Sequence, residues 1–188
     1  DKKMGTMLGS IHGKYARENY PDAKLLQFQT VSDMLTAIKA EKIDVAFFED
    51  ASLSEVTTKH SEIGALKRNL FTAPIAAAFN PQNDKLKKQY NAFLKEIKSN
   101  GVYDDVYSRW IDQELREQPD IPVNAPNGKL IFGISSDVGF PYMGMKDGRY
   151  IGFDVELAQR FASYLGKEFV LADMPFSSLI AALSSGKI

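Results

Sequence analysis

"VSDMLTAIKAEKIDVAFFED" (Val31–Asp50) is the stretch that decides the fold. Its apolar residues Val31, Met34, Leu35 and Ile38 recur at i, i+3, i+4 and i+7, which is one face of an amphipathic helix. The period then changes. Ile43–Asp50 is a near-continuous apolar run, suited to a strand covered on both faces. Upstream, "KKMGTMLG" (Lys2–Gly9) reads as a strand stopped by glycine, "SIHGKYAREN" (Ser10–Asn19) as a short helix and "AKLLQFQ" (Ala23–Gln29) as a second strand. Strand, helix, strand, helix, strand at such short spacing predicts a parallel α/β sheet in a three-layer α/β/α arrangement.

Downstream, "LFTAPIAAAF" (Leu70–Phe79) reads as a further strand, and a longer helix begins near Asn83 with Leu86, Tyr90, Phe93 and Ile97 as its buried stripe. Asn100–Gly101 stops it, and "VYDDVYSRWI" (Val102–Ile111) forms a short amphipathic helix with the single tryptophan, Trp110. "ELREQPDIPVNAPN" (Glu114–Asn127) has three prolines and no apolar period, so it reads as a semi-extended linker. The α/β rhythm then restarts: a strand in "KLIFGIS", a hairpin turning at Asp147–Gly148, and a helix in "DVELAQRFASYLG" with Asp154 at its start. That helix is expected to bury Leu157, Ala158, Phe161, Ala162 and Leu165. A strand in "EFVLADM" and a helix in "FSSLIAALSSGK" complete the series. The expected organisation is therefore 1–113, a linker at 114–127, and 128–188.

The two sides of the linker repeat one another. An offset of 145 residues places Val31, Met34, Leu35, Ile38, Lys42 and Ile43 on Phe176, Leu179, Ile180, Leu183, Lys187 and Ile188. Each helix follows a strand, so the chain is expected to hold two related strand–helix units, and the second is expected to lack the next strand of the first.

Composition narrows the function classes. Lysines and arginines number 23 against 24 acids, for a net charge of −1, so no global field favours nucleic acid or an anionic membrane. The lysines at 85, 87 and 88 read as a solvated helix face. Without cysteine, neither a disulfide framework nor a thiolate metal site is available. His12 and His60 have no partner at metal-ligand spacing and read as surface residues. No run of 18 apolar residues occurs, and the first residue is Asp1, which reads as a piece or a matured product of a longer chain.

The second half carries "KLIFGISSDVGFPYMGMKDGRYIGFDVELAQRF" with G-F-D-V at Gly152–Val155, and the first half closes on a G-x-Y-x-x-x-Y-x-x-W pattern from Gly101 to Trp110. In these features the chain resembles the type II periplasmic solute-binding proteins, in the family serving polar amino acid uptake. The resemblance implies Venus-flytrap lobes that close on a small ligand, each lobe incomplete here. Its order is shifted: a second lobe, a returning hinge strand and closing helices come first, and the opening of a first lobe comes after the linker. That order is expected of a segment from a tandem pair of such modules. A circular permutant is the rival arrangement, and it would need the remaining strands of the first lobe.

The same resemblance nominates ligand contacts. Gly9, Ser10 and Ile11 lie where a strand gives way to a helix, whose exposed N–H groups favour a carboxylate; Ser10 as an ordinary N-cap is the competing reading. Glu49 matches a position where the family commonly has an aspartate pairing with the ligand ammonium, and Asp50 stands beside it; helix capping competes at Asp50. In the second half Ser136, Asp137, Phe140 and Tyr142 fall in the loop where the family places acidic and aromatic contacts, with a core role competing at Phe140. Ligand position outside the carboxyl ends of parallel strands suits both groups. The carboxylate-binding arginine of the family falls beyond Ile188.

Three functions follow. The first is an extracytoplasmic receptor, periplasmic or extracellular, for a small polar solute such as an amino acid, without cofactor or metal, serving an ABC-type importer by lobe closure. The second is the sensing ectodomain of a membrane signalling protein, anchored in its full-length form. The third, more distant, is a dehydratase-like enzyme on the same fold, for which Glu49 is the one candidate acid. The expected partners are the solute and either a transporter permease or a signalling partner. Nucleic acid is not among them. Homodimers formed by exchange of elements about the linker are also expected.

Overall fold

The computed structural model describes residues 2–66 and 69–188. In the first half β1 (Lys3–Met7), α1 (Ile11–Asn19), β2 (Lys24–Phe28), α2 (Val31–Lys39), β3 (Val45–Ala46) and α3 (Asp50–Lys59) alternate. Their sheet runs β2-β1-β3, parallel throughout, with Lys3 opposite Lys24 and Met4 opposite Val45. Thr30 caps α2 by accepting the Asp33 N–H, and Met34 and Ala37 of α2 bury beside Ile43. The alternation and the parallel pairing match the sequence reading. β3 is shorter than the apolar run of Ile43–Asp50 suggested, because it pairs only with Met4 and Gly5 before Phe47 turns into an aromatic cluster.

The expected strand at Leu70–Phe79 does not form. Among the described residues no strand pairs with it, Pro74 offers no N–H, and Ile75 is 66% exposed. An apolar run without a partner has no reason to extend.

α4 (Asp84–Ser99) is capped by Asn83 and leads through Gly101 into α5 (Val102–Tyr107) and a π-helical turn, Ser108–Asp112. The second half holds β4 (Lys129–Ile134), a 3-10 turn at Ser136–Val138, β5 (Gly144–Lys146), β6 (Arg149–Ile151), α6 (Phe153–Tyr164), β7 (Glu168–Asp173) and α7 (Leu179–Ser184). β4 pairs with β7 in parallel, and β5 with β6 as the antiparallel hairpin anticipated at Asp147–Gly148, where both turn residues have positive φ. The start of α6 differs from expectation. Gly152, not Asp154, is the N-cap, and the Phe153 and Asp154 N–H groups donate to the Pro141 and Tyr142 carbonyls.

The largest core joins the two halves: Phe93 and Ile97 of α4, Val106 of α5 and Trp110 pack on Leu157 and Phe161 of α6. At its centre Glu156 is 0% exposed and accepts from Trp110 Nε1 at 2.7 Å, Arg109 at 2.5 Å and Arg160 Nε at 2.9 Å. A buried carboxylate keeps its charge only with such partners. The linker lies along α6, where Gln118 donates to Gln159, the Ser163 hydroxyl to the Pro122 carbonyl and the Asn127 side chain to the Leu165 carbonyl.

The repeat is visible in the packing. A Cβ at Gly5 of β1 would lie 2.5 Å from Ile43 Cδ1 and 3.3 Å from Met34 Cγ. A Cβ at Gly133 of β4 would lie 2.2 Å from Ile188 Cδ1 and 3.2 Å from Leu179 Cδ2. Met34 and Leu179, like Ile43 and Ile188, are the pairs related by the 145-residue offset. Each unit thus uses one strand glycine to admit the same two side chains.

Candidate functional site

The loops that follow the strands of the two parallel sheets carry the nominated residues. In the first half Gly9 has φ +79° and Ser10 is the N-cap of α1. The Ser10 hydroxyl does not cap the helix; it donates to the Met7 carbonyl at 2.7 Å. Ile11 begins α1 half exposed. Glu49 is the N-cap of α3 and makes no side-chain cap bond, and Asp50 opens the first turn of that helix. Glu49 Oε1 lies 3.6 Å from His12 Nε2, with side-chain exposures of 48% and 12%. His12 is therefore not the surface residue expected: its ring stacks on Phe47 and meets Phe71 edge-on. Burial pushes its pKa below the usual imidazole value, and the Glu49 charge works in the opposite direction.

In the second half Ser136 is engaged twice by Asp173, which accepts its N–H at 2.9 Å and its hydroxyl at 2.7 Å, and Tyr150 adds a third bond at 2.9 Å. Burial raises Asp137, and the charges of Asp173 and Asp33 raise it further. Asp33 belongs to α2, so a charge from the first half is felt across the junction. Burial also raises the Tyr142 phenol, followed by the Glu49 charge. Phe140 precedes a cis peptide to Pro141 and lays its ring over Gly144, where a Cβ would lie 2.3 Å from the ring.

Hydrogen bonds also link the two halves beside these loops. The Ser52 hydroxyl donates to the Val138 carbonyl at 3.1 Å, and the Phe140 N–H donates to Glu55 Oε2 at 3.2 Å. The space between Ser54 and Glu55 on one side and Trp110, Arg116 and Phe140 on the other is about 10 Å³. That volume admits a water molecule and no organic solute.

The junction's residues include the acids Glu49, Asp50, Glu55, Asp137 and Asp173, of which Glu55 is paired with Lys59 and Arg116, and the aromatics Phe140, Tyr142 and the His12–Phe47–Phe71 group. Such a surface suits a cationic or ammonium-bearing group. Among the described residues no group of three or more His, Asp or Glu is placed to hold a metal ion. Sequence reading missed Ser52, Glu55, His12, Arg116 and Asp173. Asp173 ends β7 as Glu49 follows β3, so the strand-end rule that nominated one would have found the other. Glu55 and Arg116 carry no such signal, being defined only by contacts far apart in sequence.

Residues 130–188 match the family of bacterial extracellular solute-binding proteins, family 3. The ABC transporter glutamine-binding protein GlnH of Bacillus subtilis (strain 168) is 28% identical over 115 residues, 61% of this chain and 42% of its own length. The ABC transporter arginine-binding protein 1 of Escherichia coli (strain K12) is 24% identical over 117 residues, 60% of this chain and 48% of its own. The chain thus spans less than half the length of these curated relatives. Among solved structures, the BvgS periplasmic domain of B. pertussis aligns with 99% of this chain and 39% of its own, at 16% identity and a TM-score of 0.38.

Proposed function

We propose that this chain, whose residues 130–188 match the bacterial extracellular solute-binding proteins of family 3, is part of a receptor that closes on a small polar solute bearing a cationic group, an amino acid or an analogue. The observation that carries this reading is convergence. Ser52 and Glu55 of α3, the helix that Glu49 precedes, hydrogen-bond to Val138 and Phe140 in the loop that holds Asp137 and Tyr142, which supports a site shared by the two halves. Glu49 and Asp137 serve as counter-charges for the solute's cation, Phe140 and Tyr142 enclose its apolar part, and the turn at Gly9–Ile11 presents N–H groups to an anionic group. The chemistry is binding, and the work is closure rather than bond making. Curated relatives that bind glutamine and arginine support an amino acid as the solute class. In the full protein the receptor acts outside the cytoplasm and delivers its solute to a membrane permease.

Calorimetry of the purified chain against a panel of neutral, basic and acidic amino acids tests this. Saturable binding that weakens at least tenfold in Glu49→Gln supports the reading. Absence of binding across the panel, or affinity indifferent to Glu49 and Asp137, overturns it.

A further inference from the structure

The linker reaches into the junction. Arg116 Cζ stands 4.5 Å from the centre of the Phe140 ring, and its Nη2 lies 4.0 Å from Glu55 Oε2. Gly144 leaves room for the ring, since a Cβ there would lie 2.3 Å from Phe140 Cε2. This placement is held from behind. Glu114 and Arg116 both adopt left-handed backbone, at φ 50° and 49°, a conformation that non-glycine residues enter only when their surroundings impose it. Between them the Leu115 N–H donates to the Arg109 carbonyl at 3.0 Å, and Lys146 Nζ donates to the Arg116 carbonyl at 3.2 Å. Glu55 meets a second cation, Lys59, at 2.5 Å on its other oxygen, and the Phe140 N–H shares the oxygen that faces Arg116.

A flat aromatic face with a carboxylate at its edge is the arrangement that recognises a planar cation, since the guanidinium stacks on the ring while its N–H groups reach the acid. We propose that Phe140 and Glu55 form a subsite for a guanidinium-type cation, and that the chain's own Arg116 occupies it as a tethered competitor. Linker docking and capture of such a group are then mutually exclusive. A solute that displaces Arg116 also frees the linker from Phe140, which gives the junction a means of signalling occupancy to the segment between its halves. The proposal rests on the receptor reading for assigning Phe140 to the solute cleft.

The test uses ethylguanidinium, a probe without α-amino or carboxylate groups, followed by calorimetry and by emission of Trp110, the only tryptophan, which lines the same space. Arg116→Ala should bind the probe at least tenfold more tightly than the wild type. Adding Phe140→Leu or Glu55→Gln should abolish the gain, and Arg116→Lys, which keeps the charge and loses the plane, should gain less than alanine. Arg116 is 40% exposed in its side chain, so its replacement leaves the core intact. Equal affinity in wild type and Arg116→Ala, or a gain that survives both second substitutions, overturns the proposal. Tighter probe binding in Arg116→Ala without amino acid binding in any variant sinks the receptor reading and leaves the subsite standing. Amino acid binding with no effect of Arg116→Ala does the reverse.

Discussion

Asp154 sits in the first turn of α6 among Tyr90 and Tyr142, and burial pushes its pKa from 3.8 up to about 6. A carboxyl raised in this way favours the folded state while protonated. Below pH 3.8 it is protonated folded and unfolded alike. As pH climbs through its folded value, the unfolded chain gains from ionising and the folded chain does not, so stability falls. The loss reaches about 2–3 kcal/mol by neutral pH. Asp154→Asn should match the wild type near pH 4 and exceed it increasingly toward pH 7, as read by urea unfolding at each pH. A constant difference across that range would mean that the carboxyl titrates normally. At this scale the sequence was informative wherever a residue ends a strand, because strand ends meet solvent and solute by construction. The placement of Glu49 and Ser136 just past strands was legible on that basis. Arg116 was not, since nothing in a proline-rich, aperiodic segment marks which side chain a distant ring will catch.

Elements were legible by period. Helices α2, α4 and α6 show their buried stripes in the order of residues, and the hairpin announces itself through Asp147–Gly148. Leu70–Phe79 misled for a physical reason: an apolar run states that burial would be favourable, not that a partner strand is at hand. The duplicated helix stripe was legible too, but the glycine that receives it was not, because a strand glycine looks the same whether or not a side chain fills its space. That packing is open to a double-mutant cycle. Gly5→Ala should cost about 1–3 kcal/mol by overpacking against Ile43. Ile43→Val removes the colliding Cδ1, so the double variant should be more stable than the sum of the two single changes predicts. The same cycle at Gly133 and Ile188 should couple with the same sign. Simple additivity at either pair would mean that the two units are not packed alike.

For the whole molecule, the join between halves rests on α6 and on the buried Glu156, which holds Arg109, Arg160 and the Trp110 indole together. Glu156→Ala leaves the Arg160 guanidinium and the Trp110 N–H without this acceptor and Arg109 with Asp105 alone, and should cost about 3–5 kcal/mol in urea unfolding. Retention of full stability would mean that the halves are held by apolar contact alone. The space that this join leaves between Glu55, Arg116 and Phe140 admits no organic solute, and that has a consequence for time rather than affinity. On the receptor reading proposed above, a solute bound between Glu55, Arg116 and Phe140 would have to wait for the halves to part. At low concentration the observed association rate would rise in proportion to solute. At high concentration it would level off at the frequency with which the junction opens, a ceiling belonging to the protein and identical for every solute it accepts.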